Sequence, residues 1–214
     1  MPRIWPRSMV ARRWTTCESV TSTPHNRSEI LLGVTGSVAA YKSAALCSAL
    51  VQAGHGVSVA MTHAAERFVG RATFEALSMR PVVTDIWQPF EHFQGEHIGL
   101  AARADAYLIA PCSADMLGRL AGGLGGDPVS LLALTVECPL LVAPAMNRAM
   151  WQKPAVQRNV EQLQADGAQI VGPDDGWQSC RANGTGRMSD PAELQTAVEA
   201  ALKSAISPCE GDRG

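Results

Sequence analysis

Along this chain, short, almost uniformly apolar runs alternate with longer segments in which apolar and polar positions recur every three or four residues. Ile30–Thr35, Val57–Thr62, Ala104–Ala110, Pro139–Ala143 and the brief Ala168–Val171 read as strands. They lack strict apolar–polar alternation, which is the pattern of strands covered on both faces. Between them Val38–Ala53, Ala64–Leu77, Ser113–Leu120, Pro128–Val136, Pro154–Gly167 and Pro191–Ala205 read as helices, the first closed by Gly54 and Gly56. Strands that alternate with helices predict a parallel sheet. The expected fold class is α/β: one Rossmann-like (flavodoxin-like) open parallel sheet with helices on both faces, over residues 29–206.

The ends of the chain differ from this body. Residues 1–28 mix Arg3, Arg7, Arg12, Arg13 and Arg27 with Ser, Thr and Pro, and show no apolar period. They are expected to be a disordered tail, sequence upstream of a start near Met9, or a transit peptide. Residues 207–214 are expected to form a second tail. Composition narrows the function classes. At 46% hydrophobic and 18% charged, the 214 residues suit an ordinary globular domain. A net charge of −2 gives no reason to expect nucleic acid, and no apolar run approaches the ~18 residues of a membrane span. No His or Cys pair has a recognised ligand spacing, so no metal is expected. None of the six cysteines forms a C-x-x-C pair. Cys47 and Cys138 read as small buried hydrophobes, and a reducing cytoplasm is the expected compartment.

Several segments follow strand tips, where ligand crevices of open α/β sheets lie. Gly33-Val34-Thr35-Gly36-Ser37 joins the first strand to the first helix. Glycine there permits a sharp turn, and the helix N-terminus offers free N–H groups to a phosphate; an ordinary strand–helix turn is the other reading. Pro111-Cys112-Ser113-Ala114-Asp115 opens a helix, with Ser113 and Asp115 suited to capping it. Pro144-Ala145-Met146-Asn147-Arg148-Ala149-Met150-Trp151 presents a polar Asn at the tip of an apolar run. Glu96-His97-Ile98-Gly99-Leu100 precedes the Ala104–Ala110 strand, and His97 reads as structural or catalytic. Ser179–Met188 reads either as a flexible Gly- and Asn-rich surface loop or as a site that keeps Cys180 beside Arg181 and Arg187, which favours a reactive thiol.

Together, and in order, these motifs resemble the flavin-dependent cysteine decarboxylases. Pro144–Trp151 matches P-x-M-N-x-x-M-W, and Gly33–Lys42 is similar to G-x-T-G-[SG]-[IV]-A-A-Y-K. Pro111–Met116 resembles P-A-S-A-N-T, with Asp115 in place of Asn, and His97 falls in an H-I-x-L frame. Cys180, Gly184, Gly186, Arg187 and Met188 are in register with C-G-D-x-G-x-G-R-M, the clamp of the phosphopantothenoylcysteine branch, although Arg181 and Ala182 replace Gly-Asp. Asp127 occupies a further family position.

The resemblance implies FMN as cofactor. Its contacts would come from Gly36, Ser37, Val38, Thr62, Phe68, Pro111, Cys112, Ser113, Ala114, Ala145 and Met146. It implies decarboxylation of 4′-phosphopantothenoylcysteine to 4′-phosphopantetheine, a step of coenzyme A biosynthesis. His97 would serve the oxidation and decarboxylation stage, and Cys180 would donate the last proton. Asn147 would hold the substrate carboxylate. Met150 and Arg187 are assigned to the substrate, with Arg187 either shielding the closed clamp or meeting the phosphate. It also implies a homo-oligomer, a trimer or a multiple of three, with flavin at the subunit interface. The alternatives are a peptidyl-cysteine decarboxylase, a flavin prenyltransferase and a non-catalytic flavin-binding regulatory subunit.

Overall fold

Six parallel strands form the centre of the protein, in the order β3-β2-β1-β4-β5-β6. The computed structural model describes residues 27–85 and 96–206, so the expectations for residues 1–26 and 207–214 lie outside the described residues. The strands are β1 (Glu29–Val34), β2 (Gly56–Met61), β3 (Val82–Val83), β4 (Ala106–Cys112), β5 (Leu140–Pro144) and β6 (Gln169–Ile170). This is the doubly wound Rossmann order, and the chain reverses direction across the sheet between β1 and β4. Successive side chains of β1 go to opposite faces. Ile30, Leu32 and Val34 join one core cluster, and Leu31 joins the other. That two-sided burial explains the unbroken apolar runs.

On the first face lie α1 (Ala40–Gln52), α3 (Arg71–Ser78) and α9 (Pro191–Ile206). Helix α1 buries Ser43, Leu46, Cys47 and Leu50, the spacing of one helical stripe. The second face carries α4 (Glu96–Arg103), α5 (Ala114–Ala121), α6 (Pro128–Thr135) and α8 (Pro154–Ala165). Two single turns, α2 (His63–Glu66) and α7 (Arg148–Trp151), sit after the tips of β2 and β5. A separate antiparallel ribbon, β7 (Asp174–Trp177) with β8 (Asn183–Arg187), stands beside the sheet.

The structure corrects the sequence reading in four places. The helix expected over Ala64–Leu77 is two helices, broken at Gly70, whose extended backbone starts α3. The strand expected to stop before Pro111 continues through it to Cys112, with a register shift against β5 between Ile109 and Cys112. Pro111 has no N–H to give to a ladder, and the carbonyls freed there find other donors. Ser43 Oγ donates to Ala110 O at 2.6 Å, and Thr35 Oγ1 donates to Pro111 O at 2.7 Å. Strand β3, helix α4 and the β7–β8 ribbon had no counterpart among the expected elements. Finally, Gly33 and Gly36 are not turn residues of positive φ. Close approach explains both: a Cβ on Gly33 would lie 2.7 Å from Tyr107 Oη, and one on Gly36 2.6 Å from Ala64 Cβ.

At the opposite end of the sheet, Arg80 straps β1 to β2. Its guanidinium donates to both carboxylate oxygens of Glu29 and to Ser58 Oγ. The Arg80 hydrogen bond holds the Glu29 carboxyl below its usual range, although burial opposes it. A depressed folded-state pKa gives stability that is present above the unfolded value and lost as pH falls through the folded one. Glu29→Gln should therefore melt about 2–4 °C below the parent protein at neutral pH, the size of a partly buried bidentate pair. The gap should close on acidification below the ordinary carboxylate value of 4.5. Thermal melts across that range check this, and a gap independent of pH contradicts it.

Candidate functional site

A cavity of about 520 Å³ opens at the carboxyl ends of β1 and β5, between the start of α1 and the β7–β8 ribbon. That size is ordinary for a cofactor or small-molecule site. Behind it the strand tips stay hydrogen-bonded beyond the sheet. Thr62 N donates to Val34 O at 3.0 Å, Thr35 N to Pro111 O at 3.3 Å, and Ala145 N to Cys112 O at 3.0 Å. Thr35 Oγ1 also accepts from Ser113 N at 2.9 Å.

Of the residues expected to act, Ser37, Val38, Ala145, Met146, Asn147, Cys180 and Arg187 line this cavity. Ser37 and Val38 come from the turn before α1, whose N-cap residue, Ala39, has no capping side chain. Ser37 Oγ accepts from Ala39 N at 3.3 Å. Asn147 is the N-cap of α7: its Oδ1 accepts from Ala149 N at 2.7 Å, which turns its Nδ2 toward Cys180 Sγ at 3.0 Å. Thus the two residues assigned to substrate carboxylate and to proton donation are brought into contact from β5 and from the ribbon, 33 positions apart.

The other expected residues lie outside its lining. Gly36 packs on Ala64. Thr62 caps α2, its Oγ1 accepting from Ala65 N at 3.3 Å, and Phe68 is exposed. Pro111 and Cys112 are tied into the strand tips described above, and Cys112 is fully buried. Ser113 caps α5 through Met116 N at 3.2 Å, with Ala114 following it. Met150 is exposed on α7. His97 lies in the first turn of α4, on the second face of the sheet. Burial pushes the thiols of Cys47 and Cys138 up to about 11 and that of Cys112 higher still, so all three keep their protons.

Asp115, which replaces a family Asn, and Asp127, at a family position, have local partners, whereas nothing in the structure explains Arg181 in place of glycine. Asp115 Oδ2 accepts from Arg119 Nε at 2.7 Å, which holds its charge on the exposed side of α5. Asp127 caps α6, accepting from Val129 N at 3.0 Å and Ser130 N at 3.1 Å. Arg181 stands at φ 62°, a left-handed conformation that favours glycine.

Sequence reasoning missed Tyr41, Lys42, Trp177, Gln178 and Asp190 in the lining. Lys42 Nζ donates to Met188 O at 3.0 Å and to Asp190 Oδ1 at 2.6 Å, fastening the end of the ribbon to α1. The Lys42 ammonium bonded to it holds the Asp190 carboxyl below its usual range. Arg187 Nη2 lies 3.7 Å from Asp174 Oδ2 and 3.8 Å from Asp190 Oδ2. The ribbon sits close because Gly184 and Gly186 have no side chain: a Cβ would strike Arg148 or Met146 O. Both have positive φ, 149° and 141°. The Ala-Tyr-Lys end of the Gly33–Lys42 motif was a usable signal for Lys42. Burial of Gln178 left none.

Comparison with known proteins shows the family. The Flavoprotein family profile matches residues 18–203. The coenzyme A biosynthesis bifunctional protein CoaBC of Vibrio cholerae is 43% identical over 166 residues, 78% of this chain and 42% of that protein. The chain thus spans about two fifths of the length of that curated relative. Among solved structures, the FMN-dependent cysteine decarboxylase SpaF superposes with a TM-score of 0.72 at 34% identity, covering 84% of this chain and 98% of SpaF. A PPC decarboxylase with a Cys-to-Ser substitution, complexed with pantothenoylaminoethenethiol, gives 0.74 at 28% identity, covering 83% and 99%. With a profile match over most of its length and cysteine decarboxylases as its structural neighbours, this chain belongs to the Flavoprotein family.

Proposed function

We propose that this chain binds FMN and decarboxylates 4′-phosphopantothenoylcysteine to 4′-phosphopantetheine, a step of coenzyme A biosynthesis. The observation that carries the reading is the Asn147 Nδ2–Cys180 Sγ contact of 3.0 Å inside the strand-tip cavity. The names of the CoaBC relatives and of the neighbour complexed with pantothenoylaminoethenethiol support the substrate class. The Cys-containing G-x-G-R-M ribbon supports this branch over the peptidyl-cysteine enzymes.

The residues present fit a flavin mononucleotide. The start of α1 offers helix N–H groups and Ser37 Oγ to a phosphate. Val38, Ala145 and Met146 supply an apolar wall. When bound, FMN supplies the two-electron redox chemistry that makes loss of CO₂ from an alkyl carboxylate feasible. Asn147 is oriented by its cap bond so that its N–H₂ donates, which suits a substrate carboxylate. Cys180 delivers a proton to the substrate carbon, and the Asn147 amide stabilises the thiolate left behind. Lys42, Asp190 and Arg187 fix the ribbon that carries Cys180.

His97 and Cys180 belong to one reaction in this reading but lie on different parts of the protomer. We therefore place His97 of one copy at the cavity of another, in a homotrimer or a multiple of three. Exposed apolar side chains at the cavity support this: Val38 is 52% exposed, Tyr41 64% and Trp177 62%. Such a patch calls for a covering partner. A reducing cytoplasm is the proposed compartment, since Cys180 acts as a free thiol.

Purified protein should be yellow, release FMN on denaturation, and liberate CO₂ from 4′-phosphopantothenoylcysteine in preference to a peptide ending in cysteine. A colourless protein that takes up no FMN, or preference for the peptide, contradicts the reading. Cys180→Ser should still release CO₂ but accumulate a product two hydrogens lighter than the saturated thiol. Full turnover by this variant makes Cys180 structural. Co-expression should test the shared site: His97→Asn and Cys180→Ser, each defective alone, should regain turnover in mixed oligomers. Absence of recovery in oligomers shown to be mixed contradicts a site built from two copies.

A further inference from the structure

Gln178 is the buried member of the loop that closes the β7–β8 ribbon. Its main chain closes that loop twice: Gln178 N donates to Ala182 O at 2.9 Å, and Arg181 N donates to Gln178 O at 2.9 Å. Its side-chain amide is held in one orientation. Nε2 faces two carbonyl oxygens, Gly184 O at 3.2 Å and Thr185 O at 3.3 Å, and Oε1 accepts from Arg148 N at 3.0 Å. Half a turn of the amide would set oxygen against two oxygens and N–H₂ against N–H, and neither arrangement makes a hydrogen bond.

The orientation decides what Cys180 can do. Oε1 also lies 3.6 Å from Cys180 Sγ, and between a carbonyl oxygen and a thiol the hydrogen comes from sulfur. On its other side the sulfur accepts from Asn147 Nδ2. The thiol therefore stands between a fixed acceptor and a fixed donor. One amide fixes both ends of the Asn147–Cys180 contact, because its bond to Arg148 N also sets the start of α7, next to Asn147.

We infer that Gln178 is the positioning residue for the Cys180 proton: its carbonyl holds the S–H in one rotamer and ties the thiol in register with Asn147. This rests on the reading of Cys180 as the proton donor. Asn147 supports the sulfur after the proton leaves, and Gln178 orients it before.

Infrared spectroscopy of the resting, flavin-loaded protein tests this without turnover. The S–H stretching band lost in Cys180→Ser identifies the Cys180 thiol. It should lie at the lowered frequency of a thiol bonded to a carbonyl, and it should rise to the free-thiol position in Gln178→Met, a substitution of similar volume. In turnover, the ratio of dehydrogenated product to saturated thiol should increase about ten-fold in Gln178→Met, a fraction of what a general acid contributes. A free-thiol band in the unsubstituted protein overturns the inference even if the variant fails to fold. So does a band unmoved by Gln178→Met, or a variant that raises KM with the product ratio unchanged. Failure of the substrate to release CO₂ would count against the proposed reaction and leave the infrared result standing.

Discussion

The hydroxyl of Thr35 holds the working end of this protein together. Thr35 is 1% exposed and stands just past β1, where the sheet reverses its winding. Its Oγ1 donates to Pro111 O and accepts from Ser113 N, so it carries β1–β4 pairing through a point at which proline has broken the ladder. Beyond it the relay continues from Cys112 O to Ala145 N, and from Met146 N to Gly186 O at 2.9 Å. That row reaches the cavity at Ala145, Met146 and Gly186, which line it. A buried hydrogen-bonding group left without its partner costs about 1–3 kcal/mol, so loss of one hydroxyl would be felt at both β4 and α5.

The ribbon that completes the cavity has a different physical basis. A two-stranded hairpin is marginal by itself, and β7–β8 packs few apolar side chains. It is held by polar fastenings: Gly186 O to Met146 N, Lys42 to Met188 O and Asp190, and the Gln178 amide. These need the close approach that Gly184 and Gly186 permit. Its loop also carries Arg181 in a conformation that favours glycine, next to Cys180. A rigid floor from the sheet and a separately fastened ribbon let one thiol be brought to an amide that the sheet holds still.

What the sequence revealed follows from this division. Strands buried on both faces leave runs of Ile, Leu and Val, so β1, β2, β4 and β5 were legible, as was the tip at Asn147. The two residues of β3 were too few to leave a pattern. The ribbon was hidden because Asp174–Trp177 and Asn183–Arg187 contain glycines and polar residues without alternation, and their pairing depends on contacts with 146–148. Glycines 33 and 36 were visible, but their reason was not: the chain needs them for Tyr107 and Ala64, residues distant in sequence. Motifs located Asn147 and Cys180, whereas Thr35 and Gln178 act through partners that only the fold supplies.

The most direct measurement is FMN affinity, by titration of flavin fluorescence, in Thr35→Val and Thr35→Ser. Valine keeps the shape and removes the hydroxyl, whereas serine keeps the hydroxyl. The account predicts that Thr35→Val binds FMN about five-fold to a hundred-fold more weakly, as loss of about 1–3 kcal/mol implies, and that Thr35→Ser stays near the unsubstituted protein. Unchanged affinity in a folded Thr35→Val would show that the strand-tip relay does not organise the flavin site.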